Sequence, residues 1–349
     1  MAKPLLHLQA AAAAAPGERE RRHGPGHGLG LATRFARRHP LTPRRASAAS
    51  ACLLAFLLAL AATLALALAL RRAGAGADAD ADADASPRGF AVVINTWKRH
   101  ALLRRTAAHY AACAGVDAVH VVWSEPRPPP EALRRSLAAA ANRSGSAAAA
   151  PVRFVINEGG SLNNRFRPIR GLATDAVFSV DDDLIVPCST LRFAFSVWQS
   201  SPAAMVGFVP RMHWLADPRG DAKEFRYGSW WSVWWTGTYS MVLSKASFLH
   251  RQYLELYTNQ MLPSIRDYVN ENRNCEDIAM SFLVANVTGA PPVWVQGRIY
   301  EIGSSGISSL KGHSLQRSRC LNAFAAMYGH MPLVATTVKA VDSRRSWFW

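Results

Sequence analysis

The stretch Ala176-Val177-Phe178-Ser179-Val180-Asp181-Asp182-Asp183 places three carboxylates directly after an apolar run. The run predicts a buried strand with the acids at its carboxyl end. Adjacent carboxylates repel one another and are costly to remove from water, so they favour a bound cation. Oxygen ligands select a hard divalent ion, Mn²⁺ or Mg²⁺, which can share a diphosphate with the protein. A solvated acidic turn is the alternative that this stretch alone leaves open.

Strand-like and helix-like segments alternate along the rest of the chain. Apolar and β-branched runs predict strands over Phe90–Asn95, Ala118–Trp123, Val152–Ile156, Met205–Val209, Tyr239–Leu243 and Val293–Gln296. Helical patterns cover Ala101–Cys113, Glu131–Ala141, Leu191–Gln199, Ser247–Tyr257 and Ile278–Ala285, with a loop over Asn142–Ala150. We therefore expect an α/β, doubly wound, mostly parallel sheet. Ligands bind such sheets at the carboxyl ends of the strands, where Asn95, Ser124 and the three aspartates fall.

The N-terminal part of the chain carries a long apolar segment. Residues 51–70 contain Thr63 as their one polar residue and are long enough to span a bilayer as a helix. Residues 1–50 hold nine Lys and Arg against two Glu, which favours a cytosolic location. A cleaved signal peptide is the alternative, but its apolar core would be shorter and nearer the N-terminus. We expect a type II membrane protein with a disordered tail (1–50), a transmembrane signal-anchor (51–70), a flexible stem (71–88) and a lumenal domain (89–349).

The expected lumenal domain is basic. Residues 89–349 hold 28 Lys and Arg against 18 Asp and Glu, a net charge of +10. This balance suits an anionic substrate such as a sugar nucleotide or a phosphorylated lipid headgroup. The basic residues are scattered and the domain is expected in the lumen, so the sequence argues against nucleic acid as a partner.

The cysteines and glycosylation sequons agree with a lumenal domain. Four cysteines belong to it: Cys113, Cys188, Cys275 and Cys320. An oxidising compartment permits disulfides, but four cysteines allow three complete pairings, and the residues alone leave the choice open. Sequons for N-glycosylation begin at Asn142 and Asn286.

Several polar side chains have the chemistry to contact a nucleotide sugar. They are Asn95 and Arg99 after the first strand, Asn164 and Arg165 before the acidic strand, Glu276 and Asp277 at a helix start, and His313 and Arg317 after a loop rich in Gly and Ser over Gly303–Ser309. Guanidinium groups match phosphate oxygens, and such loops close over diphosphates. Each position also has an ordinary alternative as a helix cap, a polar turn or a surface charge.

The segment Trp230-Trp231-Ser232-Val233-Trp234-Trp235 is rich in tryptophan, and Trp214 precedes it. Aromatic faces bind the apolar faces of sugars and line ligand clefts. Core packing is the alternative. We expect some of these five rings to lie in the core and at least one to face an acceptor.

These motifs, in this order, resemble glycosyltransferase family 64, the exostosin C-terminal domain. The matching stretches are Ile94–Arg99, Val121–Trp123, Leu162–Phe166, Val180–Asp183, Phe193–Gln199, Gly207–Arg211, Tyr239–Leu243, Tyr253–Tyr257, Asn274–Met280, and Gln316-Arg317 with Cys320. Within the family the chain resembles the small plant members that mannosylate glycosyl inositol phosphorylceramide. Those share the tryptophan-rich stretch and an ending like Ser346-Trp347-Phe348-Trp349.

The resemblance implies a GT-A-type nucleotide-sugar-binding fold, a divalent metal (Mn²⁺ or Mg²⁺) and retention of anomeric configuration. It assigns the nucleotide-sugar site to Asn95, Arg99, Asn164, Arg165, Asp181, Asp182, Glu276 and His313. It assigns the metal to Asp183 and Asp181, the reacting centre to Asp277, the leaving diphosphate to Arg317, and a disulfide to Cys275 and Cys320. The chain departs from the family pattern at Gly160, where Asn or Asp is usual, so a nucleotide contact is lost there or replaced by Glu158.

The resemblance also implies an activity and a place in the cell. We expect a Golgi membrane enzyme that transfers mannose from GDP-mannose to a glycosyl inositol phosphorylceramide sphingolipid. One alternative is a hexosaminyltransferase that uses a UDP-N-acetylhexosamine. The other is a catalytically silent, membrane-tethered glycan- or lipid-binding protein, which the departure at Gly160 leaves open.

Overall fold

A computed structural model describes residues 51–65, 89–143, 149–219, 223–303 and 312–345. Residues 51–65 form helix α1, and within the described ranges no helix is both long and apolar enough to cross a membrane. The predicted tail (1–50), the end of the predicted anchor (66–70) and the predicted stem (71–88) lie outside those ranges.

Thirteen strands occur in the described part of the chain. They are β1 Phe90–Thr96, β2 Val116–Trp123, β3 Val152–Ile156, β4 Ala176–Asp181, β5 Leu184–Ile185, β6 Val206–Gly207, β7 Pro210–Leu215, β8 Phe225–Gly228, β9 Met241–Val242, β10 Ala246–His250, β11 Val293–Gln296, β12 Tyr300–Glu301 and β13 Lys339–Val341. Eight of them form one sheet in the order β13-β11-β6-β10-β4-β1-β2-β3. All neighbours pair in parallel except those of β10, which is antiparallel to β4 and β6.

Helices cover both faces of this sheet. They are α2 His100–Ala111, α3 Glu131–Arg143, α4 Cys188–Ser200, α5 Trp230–Thr236, α6 Gln252–Asn259, α7 Pro263–Asn272, α8 Glu276–Thr288 and α9 His313–Tyr328. On one face, α2, α3 and α4 form a core with the sheet that includes Leu103 and Leu191. On the other face, α6 to α9 form a core that includes Tyr253 and Phe324. Because both faces are covered, β1 and β4 are almost continuously buried and apolar, as parallel strands require. The expected mostly parallel α/β sheet is confirmed, in an arrangement consistent with a GT-A-like fold.

One predicted helix is partly wrong. The segment Ser247–Tyr257 begins as strand β10, and helix α6 starts at Gln252. The first half is extended because Ser247 and Phe248 are fully buried between β4 and β6 and pair with both strands. A short buried apolar run fits a strand as well as a helix, and only the neighbouring strands decide between them.

Other boundaries differ from the predictions in smaller ways. The predicted strands Met205–Val209 and Tyr239–Leu243 shorten to β6 and β9. The antiparallel pair β7–β8 and helix α7 have no counterpart in the predictions. Asn142 lies in α3 rather than at the start of a loop, and Asn286 is exposed near the end of α8.

Two disulfides connect helices. Cys113–Cys188 joins the end of α2 to the start of α4. Cys275–Cys320 joins the residue before α8 to the middle of α9, which confirms the pairing implied by the resemblance. Both cysteines of the second bond are fully buried, so α8 and α9 are crosslinked inside the core.

Removal of the Cys275–Cys320 disulfide should destabilise the domain strongly. The bond closes 45 residues of chain, and loop-closure entropy puts its contribution at about 4 kcal/mol. We expect the Cys275→Ala/Cys320→Ala protein to show a clearly lower Tm under non-reducing conditions. Cys52→Ser is the matched control, because Cys52 is not disulfide-bonded and should have no such effect. Equal melting temperatures for the wild type and the double variant would contradict the assignment.

Candidate functional site

The carboxyl ends of β1, β2 and β4 bring the predicted polar residues together. Asn95 at the end of β1 pairs with Asp181 at the end of β4. Ser124 follows β2 and is buried. The site therefore forms at the edge of the sheet where the strand order predicted it.

Asp182 is the buried centre of the acidic run. Its side chain is fully buried, and Thr96 Oγ1 donates a hydrogen bond of 2.6 Å to its Oδ2. Arg99 Nη2 lies 2.6 Å from Oδ1 as an ion pair, although its N–H direction does not make a hydrogen bond. Burial raises the pKa of Asp182, and the Thr96 hydrogen bond and the charge of Arg99 oppose this rise. The geometry suits Asp182 to positioning Arg99, and its contact with a nucleotide stays a prediction.

Asp183 shares the same arginine but is partly exposed. Arg99 Nη1 lies 2.6 Å from Asp183 Oδ2, so one guanidinium bridges two consecutive carboxylates. The backbone N–H of Ile302 donates to the Asp183 carbonyl over 2.7 Å. Gly303 packs so closely that a Cβ there would lie 2.9 Å from the Asp183 Cβ. The predicted Gly- and Ser-rich loop thus begins beside Asp183, and its remainder lies outside the described residues.

Arg165 connects the acidic run to helix α8. It is almost completely buried in the 3₁₀ turn Leu162–Phe166. Its Nη2 forms an ion pair with Asp181, and its Nη1 lies 3.5 Å from Glu276 Oε1 and donates to Ser244 Oγ over 3.2 Å. Burial and the charge of Asp277 raise the pKa of Glu276, against the opposing charge of Arg165.

Asn164 presents a buried acceptor to the same region. Its Nδ2 donates to Ser124 Oγ over 3.0 Å and to the Gly159 carbonyl over 2.8 Å. Its Oδ1 is buried and has no hydrogen-bond partner among the described residues. An unpaired buried oxygen is costly, and a bound ligand donor would satisfy it.

Asp277 and Arg317 form a second, separate ion pair. Arg317 Nη2 lies 2.5 Å from Asp277 Oδ2, and Oδ1 accepts from the Ile278 N–H over 2.8 Å. Burial acts to raise the pKa of Asp277, but the charge and hydrogen bond of Arg317 outweigh it and hold the pKa below its ordinary value. Arg317 is itself buried over the ring of Tyr227, 4.9 Å from its centroid. The predicted catalytic residues are thus direct partners, and Arg317 fixes the Asp277 carboxylate.

His313 opens helix α9 one turn before Arg317. Burial and the neighbouring charges of Arg317 and Arg211 lower the pKa of His313, although Asp277 opposes them. A neutral imidazole at this place is a hydrogen-bonding group rather than a cation. Its contact with a diphosphate stays a prediction.

Gly160 has a local packing reason. A Cβ at this position would lie 2.8 Å from Cη2 of the exposed Trp97 ring, so the glycine lets the indole lie against the chain. Glu158, the suggested replacement for a lost nucleotide contact, is exposed. An indole packed on glycine offers a stacking face where the family pattern has a polar side chain.

The acidic residues suit a metal shared with a ligand, rather than a closed metal cage. In the described ranges, the one trio of His, Cys, Asp or Glu with ligand atoms within 4.8 Å is His109, Cys113 and Cys188, and both its sulfurs belong to a disulfide. Asp181 and Asp183 each keep one carboxylate oxygen without a hydrogen bond from a described residue. One or two carboxylates completed by phosphate oxygens are the usual protein ligands of Mg²⁺. The residues therefore fit a divalent cation that binds together with a diphosphate.

The sequence reasoning missed several residues that support the site. They are Thr96, Thr106, Tyr227 and Ser244. Thr106 Oγ1 donates to the Asp182 carbonyl over 2.6 Å from the middle of α2. A hydroxyl in an Ala- and Leu-rich helix was the one available signal for this residue. No local pattern marked the others.

The Asp277–Arg317 pair should make stability depend on pH. Asp277→Asn leaves Arg317 buried without its partner, so we expect a loss of about 3–5 kcal/mol in the free energy of unfolding at pH 7. Because the folded pKa is depressed, this stabilisation exists above the unfolded pKa of about 3.9 and is lost as the pH falls through the folded value. Denaturant unfolding of both proteins should show the difference in the free energy of unfolding narrowing as the pH falls below about 4.

Glu131→Gln is the matched control for this experiment. The Glu131–Arg135 pair is exposed and 3.9 Å long, so its loss should cost no more than about 0.5 kcal/mol. Equal free energies of unfolding for the wild type and Asp277→Asn at pH 7 would contradict the ion-pair assignment. So would a difference between them that stays unchanged in acid.

Comparison with known proteins agrees with this fold and site. The Glycosyl transferase family 64 domain matches residues 90–347. Glycosylinositol phosphorylceramide mannosyl transferase 1 of Arabidopsis thaliana is 56% identical over 265 residues, which cover 76% of this chain and 79% of that protein. Exostosin-1a of Danio rerio is 38% identical over 200 residues, 55% of this chain and 26% of that protein. Exostosin-2 of Homo sapiens is 34% identical over 254 residues, 70% of this chain and 33% of that protein.

The chain spans a third or less of the two exostosins, but most of the Arabidopsis protein. The family match runs from β1, through the acidic edge of the sheet and the Asp277–Arg317 pair, beyond β13. The expected resemblance and enzyme class are confirmed: the chain belongs to glycosyl transferase family 64 and is a glycosyltransferase.

Proposed function

We propose that this glycosyltransferase transfers mannose from GDP-mannose to a glycosyl inositol phosphorylceramide, with retention of configuration and with Mn²⁺ or Mg²⁺. The acceptor and the sugar follow the name of the Arabidopsis relative, which is 56% identical. We further propose a type II protein of the Golgi membrane with residues 89–349 in the lumen. The basic charge of that part of the chain suits both the nucleotide sugar and the anionic lipid headgroup.

The observation that carries the proposal is the double role of Arg165. Its guanidinium contacts Asp181 at the end of β4 and Glu276 at the start of α8. It thereby ties the acidic edge of the sheet to the helix that bears Asp277. A donor held by its diphosphate at that edge would present its sugar towards α8, where Asp277 is fixed by Arg317.

The side chains divide the chemistry between them. Asp181 and Asp183 would hold the metal ion, which neutralises charge on the departing nucleotide diphosphate when bound. The bond from the sugar C1 to the diphosphate oxygen breaks, and a bond from C1 to the acceptor oxygen forms on the same face. The acceptor proton passes to the leaving diphosphate oxygen. Asp277, kept ionised by Arg317, accepts a hydrogen bond from the acceptor hydroxyl and orients it.

Donor turnover separates this proposal from its rivals. The full chain in detergent, with Mn²⁺, would be given GDP-mannose and a panel of other GDP- and UDP-sugars. We expect turnover of GDP-mannose that chelation abolishes, and a product with the anomeric configuration of the donor. Turnover of a UDP-N-acetylhexosamine instead would identify a hexosaminyltransferase. If the folded protein binds Mn²⁺ but turns over none of the donors, the result would favour the non-catalytic binding protein.

Asp183→Asn should lower GDP-mannose turnover by about 10- to 100-fold, because it removes the negative charge of a proposed metal ligand with little change in its size. Turnover would be measured at saturating donor over a range of Mn²⁺ concentrations. Asp217→Asn is the matched control, because Asp217 is exposed and outside the site. Wild-type turnover of Asp183→Asn at limiting Mn²⁺ would rule out the assigned role.

A further inference from the structure

Helix α5 is covered with exposed tryptophan. Trp230, Trp231, Trp234 and Trp235 are 42%, 70%, 59% and 82% exposed, and Trp214 on β7 is 41% exposed. Val233 is the one buried residue of the helix. The expectation that some of the five rings lie in the core is therefore wrong. We call these five residues the tryptophan patch.

The rings of the patch are contiguous. The rings of Trp230 and Trp234, one turn apart, are stacked 6.4 Å from each other, and the Trp231 ring meets both edge-on. Trp214 approaches from the neighbouring strand, since a Cβ on Gly228 would lie 2.8 Å from its ring and 3.0 Å from Ser232 Cβ. The patch is one apolar surface rather than five scattered side chains.

The chemistry of the patch is that of a bilayer interface. No charged residue occurs between Arg226 and Lys245, so helix α5 carries no charged side chain, and the nearest cation along the chain is Arg226, which pairs with Trp214 across β7 and β8. Its exposed apolar side chains are all indoles. Tryptophan is enriched at the level of lipid headgroups, because its ring is apolar while its N–H can donate to carbonyl and phosphate oxygens. Contiguous exposed apolar surface on a soluble domain marks an interaction site.

The patch is connected to the Asp277–Arg317 pair through strand β8 and helix α9. Strand β8, which leads into α5, bonds to α9 through Tyr227 N–H to Ser318 Oγ at 3.0 Å and Phe225 N–H to Asn322 Oδ1 at 2.8 Å. Tyr227 also packs under Arg317, the partner of Asp277. Only Gly228 and Ser229 separate Tyr227 from the first tryptophan of the helix. A surface that contacts the patch therefore lies beside the candidate acceptor site.

We propose that the tryptophan patch docks on the interfacial layer of the lipid bilayer that contains the acceptor. This rests on the proposed function, which places a membrane-embedded lipid at Asp277. A membrane anchor predicted over residues 51–70 would tether the domain that begins at residue 89 to a bilayer. The net charge of +10 over residues 89–349 adds attraction to anionic headgroups.

Quenching by brominated lipid tests this docking. The full chain would be reconstituted into vesicles of phosphatidylcholine and phosphatidylinositol, with the phosphatidylcholine brominated in the upper part of its acyl chains. All eleven tryptophans lie at position 97 or beyond, so the predicted anchor contributes no signal. We expect the brominated lipid to quench the tryptophan fluorescence of the wild type. In Trp231→Ser/Trp235→Ser the quenched fraction should be lower by about half. Val338→Ser, which removes an exposed apolar side chain elsewhere, should behave as the wild type.

Equal quenched fractions for the wild type and the double variant would overturn the proposal. A second copy of the chain that covers the patch would also overturn it. Such a copy would be detected as a crosslinked dimer that the double variant does not form. If the double variant does not fold, Trp235→Ser alone carries the same test, because this ring is the most exposed of the five. The measurement uses no donor sugar, so a failure of the proposed mannosyl transfer would leave its outcome unaffected.

Discussion

The structure depends on the compensation of buried negative charge by arginine. Five carboxylates, those of Asp181, Asp182, Asp183, Glu276 and Asp277, lie at the carboxyl edge of the sheet and the start of α8. Three guanidinium groups, those of Arg99, Arg165 and Arg317, pair with them. Without those partners the acids would be too costly to bury. Arg165 has the widest reach, because it joins the sheet to α8.

The arginines do not balance all of the carboxylates, and the remaining negative charge affects which ligands the site can bind. The number of carboxylates exceeds the number of arginines by two, and burial raises the pKa of Asp182 and Glu276. We propose that a divalent cation supplies the missing positive charge. Such a site would repel a nucleotide diphosphate when empty and attract it once the cation is bound. The same electrostatic arrangement thus stabilises the fold and would make donor binding depend on metal.

Much of this could be predicted from local patterns. The apolar runs before Asn95 and Asp181 are long enough to specify central strands, and parallel pairing then brings their ends together. The pairing of Asp277 with Arg317 could not be read from spacing, because the two residues lie on different helices and are 40 residues apart in the chain. Strand β10 was missed because its identity depends on its neighbours in the sheet. The tryptophans were expected partly in the core because composition does not reveal that α5 lies on the surface.

We propose that the acidic edge binds a diphosphate and a divalent cation together, with each strengthening the binding of the other. Calorimetric titration of GDP into the full chain, with and without Mn²⁺, tests it most directly. We expect GDP binding that Mn²⁺ strengthens at least tenfold, and an equal strengthening of Mn²⁺ binding by GDP, since such coupling is reciprocal. Asp183→Asn should remove this coupling. GDP affinity that is independent of Mn²⁺ would contradict it.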